Sequence, residues 1–304
     1  MSKPSKGDGM TVNISATQVK ELRERTGAGM MECKKALTES KGDIELAIEN
    51  LRKSGITKAG KKAGRIAAEG VIVLKNNGKQ AVMVEINSET DFVARDTNFL
   101  AFANAVAETA LATQEQDAGK LSALPLSGQG TKTVEETRHE LISKVGENVQ
   151  IRRIILTNAS AGSIGTYLHG ARIGVMVELD TDNVDLAKDV AMHIAATRPI
   201  VVSPENVPQD IVAKEKEIYT AQAATSGKPQ EIIEKMVLGR LKKYLDEVSL
   251  TGQPFVKDPD TTVGSLLSKH RAKVLAFHRY EVGEGIEKVS EDFAEAVMSQ
   301  VQGG

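Results

Sequence analysis

The sequence predicts an α+β chain built from more than one unit, and three observations carry that prediction. Apolar residues recur with helical spacing over residues 14–53, and from residue 70 the pattern changes to Val- and Ile-rich runs with strand character. A hexapeptide at 81–86 (AVMVEI) returns at 174–179 (GVMVEL). Each copy follows a β-like segment and a short turn and precedes an apolar helix, so the chain carries two related α+β subdomains. The length of 304 residues agrees with roughly two domains of about 100–200 residues each, enough to bury a sizeable core.

The elements read as follows. Ser15 or Thr17 caps a first helix with Val19 and Leu22 inward, and Thr26-Gly27 stops it. Met30, Cys33 and Leu37 form the buried stripe of a second helix. Ile44, Ala47, Ile48 and Leu51 form that of a third, ended by Ser54-Gly55. Lys58, Lys61, Lys62 and Arg65 follow, read either as a solvated linker or as a contact patch. Residues 70–75 and 80–87 are strands around the turn signal Asn76-Asn77-Gly78. Helices are predicted over 97–113 and 134–145, separated by a loop over 114–132. Strands follow at 149–157, 164–169 and 172–180, then a helix over 184–197 with Pro199 just beyond it. Helical runs at 209–225 and 230–248 flank Ser226-Gly227-Lys228-Pro229 and predict an antiparallel, protruding hairpin. Its thin apolar stripes are Ile211, Ile218 and Ala221 against Ile232, Ile233, Met236 and Leu241. A helix over 262–270, a strand over 273–282 and a last helix capped by Ser290, with Phe293, Val297, Met298 and Val301 on one face, complete the chain.

Composition excludes several classes of function. The charge sum of 39 basic and 41 acidic residues gives −2, without the basic footprint that sequence-independent nucleic-acid binding needs. With 6 Phe, 4 Tyr and no Trp, a base-stacking surface is poorly supplied. One cysteine excludes an internal disulfide and a Cys-clustered metal site, and 5 histidines show no HExxH-like spacing. No apolar run of roughly 20 residues is present to span a bilayer. Residues 1–9 (MSKPSKGDG) have no apolar core of a signal and read as a disordered extension, so the expected compartment is a reducing cytoplasm. No phosphate-cradling GxxxxGK[ST] occurs, and no GxGxxG follows a strand, so no nucleotide site, cofactor or metal is expected in the chain itself.

Two segments go further: 22–37 (LRERTGAGMMECKKAL) and 85–95 (EINSETDFVAR). They closely resemble the signature segments of the elongation factor Ts family. The resemblance continues at 146–153 (GENVQIRR), 167–174 (YLHGARIG), 226–229 (SGKP) and 249–256 (SLTGQPFV), and covers the chain from Met10 onward. It implies the guanine-nucleotide exchange factor of elongation factor Tu, which is not an enzyme in the bond-making sense. It also implies a ubiquitin-associated-like helical module and basic linker at 10–64 and core subdomains at 65–160 and at 161–206 with 249–285. The hairpin at 207–248 is then an insertion in the second subdomain, and 286–304 a C-terminal helical module.

From the residues alone, Thr90 or Asp91 caps a helix and Phe92 packs into the core. The resemblance implies instead that Thr90, Asp91, Phe92 and Val93 enter the partner, with Phe92 as an apolar wedge that displaces the partner's Mg²⁺. It further implies partner contacts at Lys34, Lys62, Val145, Gly146, His169 and Val256. The residues themselves also admit a solvated lysine at 34, a helix stop at 145–146 and a turn histidine at 169. Lys257 stands where the family pattern leads one to expect an apolar residue. Two other readings compete. One is a ubiquitin-like-binding or scaffolding protein without exchange activity. The other is an enzyme using His169 or Cys33, although Cys33 shares a buried stripe and has no histidine nearby in sequence.

Overall fold

The computed structural model of the chain describes residues 14–287. The extension expected at 1–9 and the last helix, with Ser290, Phe293, Val297, Met298 and Val301, lie outside the described residues. The chain has the α+β fold expected from the sequence, and no helix among the described residues is long and apolar enough to cross a membrane.

It opens with α1 (Ala16–Thr26), α2 (Met30–Glu39) and α3 (Ile44–Lys62). Ser15 and Gln18 form a capping box on α1, and Gly27 ends it in the left-handed region that glycine enters without a Cβ clash. Leu22, Cys33, Leu37 and Ala47 close a small core between the helices. Met30 departs from the expected stripe: as the first residue of α2 it is 59% exposed, and Ala36 supplies the inward methyl instead. Burial pushes the Cys33 thiol pKa up, the opposite of what a nucleophile needs.

Helix α3 does not stop at Ser54-Gly55. It runs on to Lys62, so Lys58, Lys61 and Lys62 are helical and only Arg65 of the basic run belongs to the connection. The reason is tertiary. A Cβ at Gly55 would sit 3.6 Å from the carbonyl oxygen of His139, so the glycine marks where α3 lies closely against a later helix. The packing offsets the roughly 1 kcal/mol that glycine costs inside a helix. The ion pair Arg52–Glu136 joins α3 to that later helix, and Lys58–Glu32 ties the same stretch of α3 back to α2.

Next come β1 (Glu69–Asn76), β2 (Gln80–Ser88), α4 (Asp91–Ala94), α5 (Thr97–Thr113), α6 (Ala118–Ser122), α7 (Val134–Val145) and β3 (Gln150–Asn158). They are followed by β4 (Ile164–His169), β5 (Ile173–Leu179), α8 (Val184–Thr197), α9 (Gln209–Ala224), α10 (Gln230–Val248), β6 (Pro254–Phe255), β7 (Asp258–Thr262), α11 (Val263–Lys269) and β8 (Val274–Glu281). Strands β1-β2-β3 and β4-β5-β8 form two antiparallel sheets. The repeated hexapeptides occupy the two middle strands, and the pairing register slips at the same place in each, between Glu85 and Ile86 and between Glu178 and Leu179.

The sheets pack face to face, with helices on the outside. Val82, Val84 and Ile86 point to Phe99, Phe102 and Val106 of α5, while Val175, Val177 and Leu179 point to Leu186, Val190 and Ile194 of α8. Ile72, Ala81 and Met83 meet Ile164, Met176 and Val282 between the sheets. Both faces of each middle strand are therefore covered, which is why the hexapeptides are almost wholly apolar. Each carries one exception, Glu178, half-exposed, and Glu85, fully buried in the inter-sheet layer. The Glu85 carboxylate accepts from Arg152 (3.0 Å), Arg153 (2.5 Å), Asn87 (3.1 Å) and the Gly283 amide (2.8 Å). Burial alone would raise its pKa; these donors outweigh that and hold the carboxyl below its ordinary range.

The α9–α10 pair buries Ala223, Ile233 and Val237, with Tyr219 alongside. The expected stripe is thus partly displaced: Ile233 and Leu241 are buried as anticipated, whereas Ile218 and Ile232 are exposed and Ala223 and Val237 take the inner places. A two-stranded ribbon, β6–β7, and the short α6 inside the expected loop were not foreseen; both are too short to show a period.

Gly174 sets the spacing of the sheets, since a Cβ there would lie 2.5 Å from Ile72 Cγ2 and 2.7 Å from Met83 Sδ. Gly174→Ala is expected to lower stability by about 1–3 kcal/mol in urea denaturation, as overpacking does. Gly60→Ala, where a Cβ meets nothing within 4 Å, serves as the control and should be neutral or stabilising.

Candidate functional site

The conspicuous feature outside the core is the passage from β2 to α5. Ser88 ends β2, and its hydroxyl donates to the Thr90 carbonyl at 2.9 Å. Thr90 caps α4 by accepting the Val93 amide at 3.3 Å. One turn later Asp96 caps α5, accepting the Asn98 and Phe99 amides at 2.8 and 3.2 Å. Two caps so close together leave α4 a single turn, with Ala94 buried and Val93 packed on the core. Asp91 pairs with Arg95 at 2.9 Å on the surface. Phe92 points away from the protein and is 83% exposed. The capping reading of Thr90 therefore holds, whereas the core reading of Phe92 does not; Phe99 and Phe102 fill that core.

This turn is held from the side. Glu147 Oε2 accepts the amides of Glu89 (3.1 Å) and Thr90 (3.0 Å), and its Oε1 accepts the Thr90 hydroxyl (2.7 Å). In return, Glu89 Oε1 accepts the Asn148 amide at 2.6 Å, and Glu89 Oε2 faces Arg65 at 3.3 Å. Asn148 then donates to the Arg65 carbonyl at 2.8 Å and the Ala63 carbonyl at 3.4 Å, just past Lys62, the last residue of α3. Val145 is half-buried against the core, and Gly146, left-handed at φ 77, caps the end of α7 immediately before Glu147. The structure thus brings together Thr90–Val93, Val145–Gly146 and the Lys62 end of α3.

His169 lies exposed at the end of β4, its Nδ1 3.3 Å from the Tyr167 hydroxyl. The following turn leans on the same region: Arg172 pairs with Glu69 at 2.7 Å, and Glu69 stands opposite Ser88 in the sheet. Lys34 is exposed on α2, carried by the helical module. Val256 is elsewhere, at the β6–β7 turn and 44% exposed. Its amide donates to Nδ1 of buried His193 at 3.2 Å, which leaves the proton of that ring on Nε2, facing Gln253 Oε1 at 2.9 Å. Lys257, the departure from an apolar expectation, pairs with Asp189 of α8 at 2.6 Å. Sequence reasoning missed Glu89, Glu147, Asn148 and His193. Glu89, Glu147 and Asn148 lay inside segments quoted for their resemblance, yet no residue spacing showed what they hold.

With this geometry in view, comparison with known proteins is decisive. The model of a protein family described as Elongation factor TS matches residues 89–284. The chain belongs to the elongation factor Ts family. It is 61% identical over 295 residues to an elongation factor Ts of Thioalkalivibrio sulfidiphilus, covering 96% of this chain and 100% of that protein. It is 56% identical over 292 residues to that of Alkalilimnicola ehrlichii (95% and 99%) and 57% identical over 291 residues to that of Legionella pneumophila (95% and 99%). As a member of the elongation factor Ts family, it is a translation elongation factor. The matched region begins at Glu89, so it takes in the Phe92 turn and ends at Glu284 beside the Glu85 cluster.

Burial lowers the pKa of His193 below its usual 6.5, with the Gln253 bond partly opposing. The folded state therefore resists a proton that the unfolded chain accepts. The stability this histidine provides is complete above about pH 6.5 and declines as pH falls toward the depressed folded value. Burial shifts His139 and His278 the same way. Denaturation midpoints taken from pH 7.5 to 5.5 should fall, by at most about 1.4 kcal/mol per pH unit per histidine. In His193→Gln the slope should flatten without vanishing.

Proposed function

We propose that this chain is a guanine-nucleotide exchange factor for elongation factor Tu: it docks on the GDP-bound partner, dislodges Mg²⁺ and promotes GDP release so that GTP can bind. The observation that carries the reading is an aromatic ring, Phe92, left 83% exposed on a turn whose backbone is fixed by two caps and a carboxylate. A large apolar ring facing water on a rigid support is unfavourable alone and useful as an anchor that inserts between partner side chains. Thr90, Asp91 and Val93 frame the wedge. Lys34, Lys62, Val145, Gly146, His169 and Val256 supply the remaining contacts.

The energetics follow from charge. Mg²⁺ bridges the nucleotide phosphates to the partner and neutralises them, so its loss weakens GDP. A thousandfold loss of affinity corresponds to about 4 kcal/mol. By reciprocity GDP weakens this chain's binding by the same factor, and the ternary complex is a transient that sheds either ligand. No bond in the nucleotide is made or broken, so the activity is exchange, carried out in the cytoplasm, and not enzymatic catalysis.

Stopped-flow release of a fluorescent GDP analogue from elongation factor Tu, with Mg²⁺ present, tests the reading. The native chain should accelerate release. Phe92→Ala should lose about tenfold or more of that acceleration, the scale of an interface hot spot, with its denaturation midpoint unchanged because the ring is already in water. No acceleration by the native chain with a cognate partner would leave a scaffolding role as the better account.

A further inference from the structure

We infer that Glu147 is the positioning residue of the Phe92 turn. With Glu89 and Asn148 it locks that turn, the Val145–Gly146 corner and the end of α3 into one docking unit. The inference rests on the exchange reading for its consequence, but on geometry alone for the lock.

The bonding is reciprocal. Glu147 takes both amides that precede the turn, and Glu89, from the turn's own side, takes the Asn148 amide. Each loop thus caps the other, and neither holds its shape without its neighbour. The Thr90 hydroxyl shows why a carboxylate is needed. It must accept the Val93 amide to cap α4, and its own hydrogen must go elsewhere; Glu147 Oε1 receives that hydrogen at 2.7 Å. An anionic acceptor makes this bond stronger than a neutral one would. The hydroxyl's lone pairs are left aimed at the helix start, and the direction of the Phe92 side chain follows from the turn so fixed.

The same residues reach the third element. Asn148 is buried and donates to the carbonyls of Ala63 and Arg65, while the Arg65 side chain faces Glu89. The end of α3 is therefore tied to the loop that holds the wedge. An anchor that is already ordered loses less conformational freedom on insertion. Glu147 acts on the partner only through Phe92, and its removal should lower the maximal release rate more than the concentration needed to reach half of it.

The test is a double-mutant cycle in GDP release from elongation factor Tu, using the full chain with Glu147→Ala, Phe92→Ala and both together. Glu147→Gln, which keeps an acceptor for the two amides, is the conservative variant. Expected are a loss of about tenfold in maximal rate for Glu147→Ala, partial retention in Glu147→Gln, and no further loss when Glu147→Ala is added to Phe92→Ala. Equal rates for native and Glu147→Ala, or the same fold loss in both backgrounds, would overturn the inference, since an effect on folding alone adds to the Phe92 effect. Amide hydrogen exchange without partner gives an independent readout. Protection at Glu89, Thr90 and Val93 should fall in Glu147→Ala while that of α5 persists; unchanged protection would overturn the lock even if exchange activity itself proved absent.

Discussion

The Glu85 carboxylate is the point on which the two halves of this molecule meet. It is a charge with no access to water, placed in an apolar layer between two sheets, and such a group is tolerated only when its lone pairs are filled. Arg152 and Arg153 of β3 fill them from one sheet, and the Gly283 amide, just past β8, from the other. Arg153 also donates to the Glu281 carbonyl and lies 3.9 Å over the Tyr280 ring. The arrangement resists shear because sliding either sheet would strip donors from a buried anion. Its counterpart in the second repeat has been relieved of that duty. Glu178 sits at the same register slip, half-exposed, and accepts from the Ser160 amide and hydroxyl.

From this joint the structure extends outward to the exposed Phe92 turn. Glu85 stands on β2 only a few residues before Thr90, so the strand that carries the buried anion delivers the exposed turn. The polarity of the path reverses along the way. Inside, arginines surround a carboxylate; at the surface, carboxylates surround backbone amides. Both arrangements add polar bonds that hold the backbone beside its apolar packing, and at the turn they do so where the Phe92 ring itself is left in water.

Much of this was legible in the sequence, and the boundary of legibility is physical. Helices α5, α7 and α8 start where expected because their caps are local: Asp96, Thr133 and Asn183 each accept an amide within three residues. The middle strands were legible as a repeat because both of their faces are buried. The run of α3 through Ser54-Gly55 was not, since the helix is held there by α7 residues such as Glu136, 84 positions from Arg52. Nor was the outward direction of Phe92: a single turn has no period, so nothing near it in sequence says which side faces the core. The Glu147 lock joins residues 57 and 58 positions apart, and its bonds to the Glu89 and Thr90 amides leave no pattern in side-chain chemistry.

The uninterrupted α3 has a consequence for binding as a whole. At 1.5 Å per residue its 19 residues form a rod of about 28 Å, one end inside the helical module and the other tied by Asn148 beside the wedge. A module on a flexible tether would search a volume before its second contact formed, and affinity would depend on tether length. Here the module and the Phe92 turn are held by one continuous helix, so under the proposed function a partner that meets one has the other within reach. Under the exchange function proposed above, the two act as a single bivalent ligand, selecting for a partner whose own surfaces lie the same distance apart.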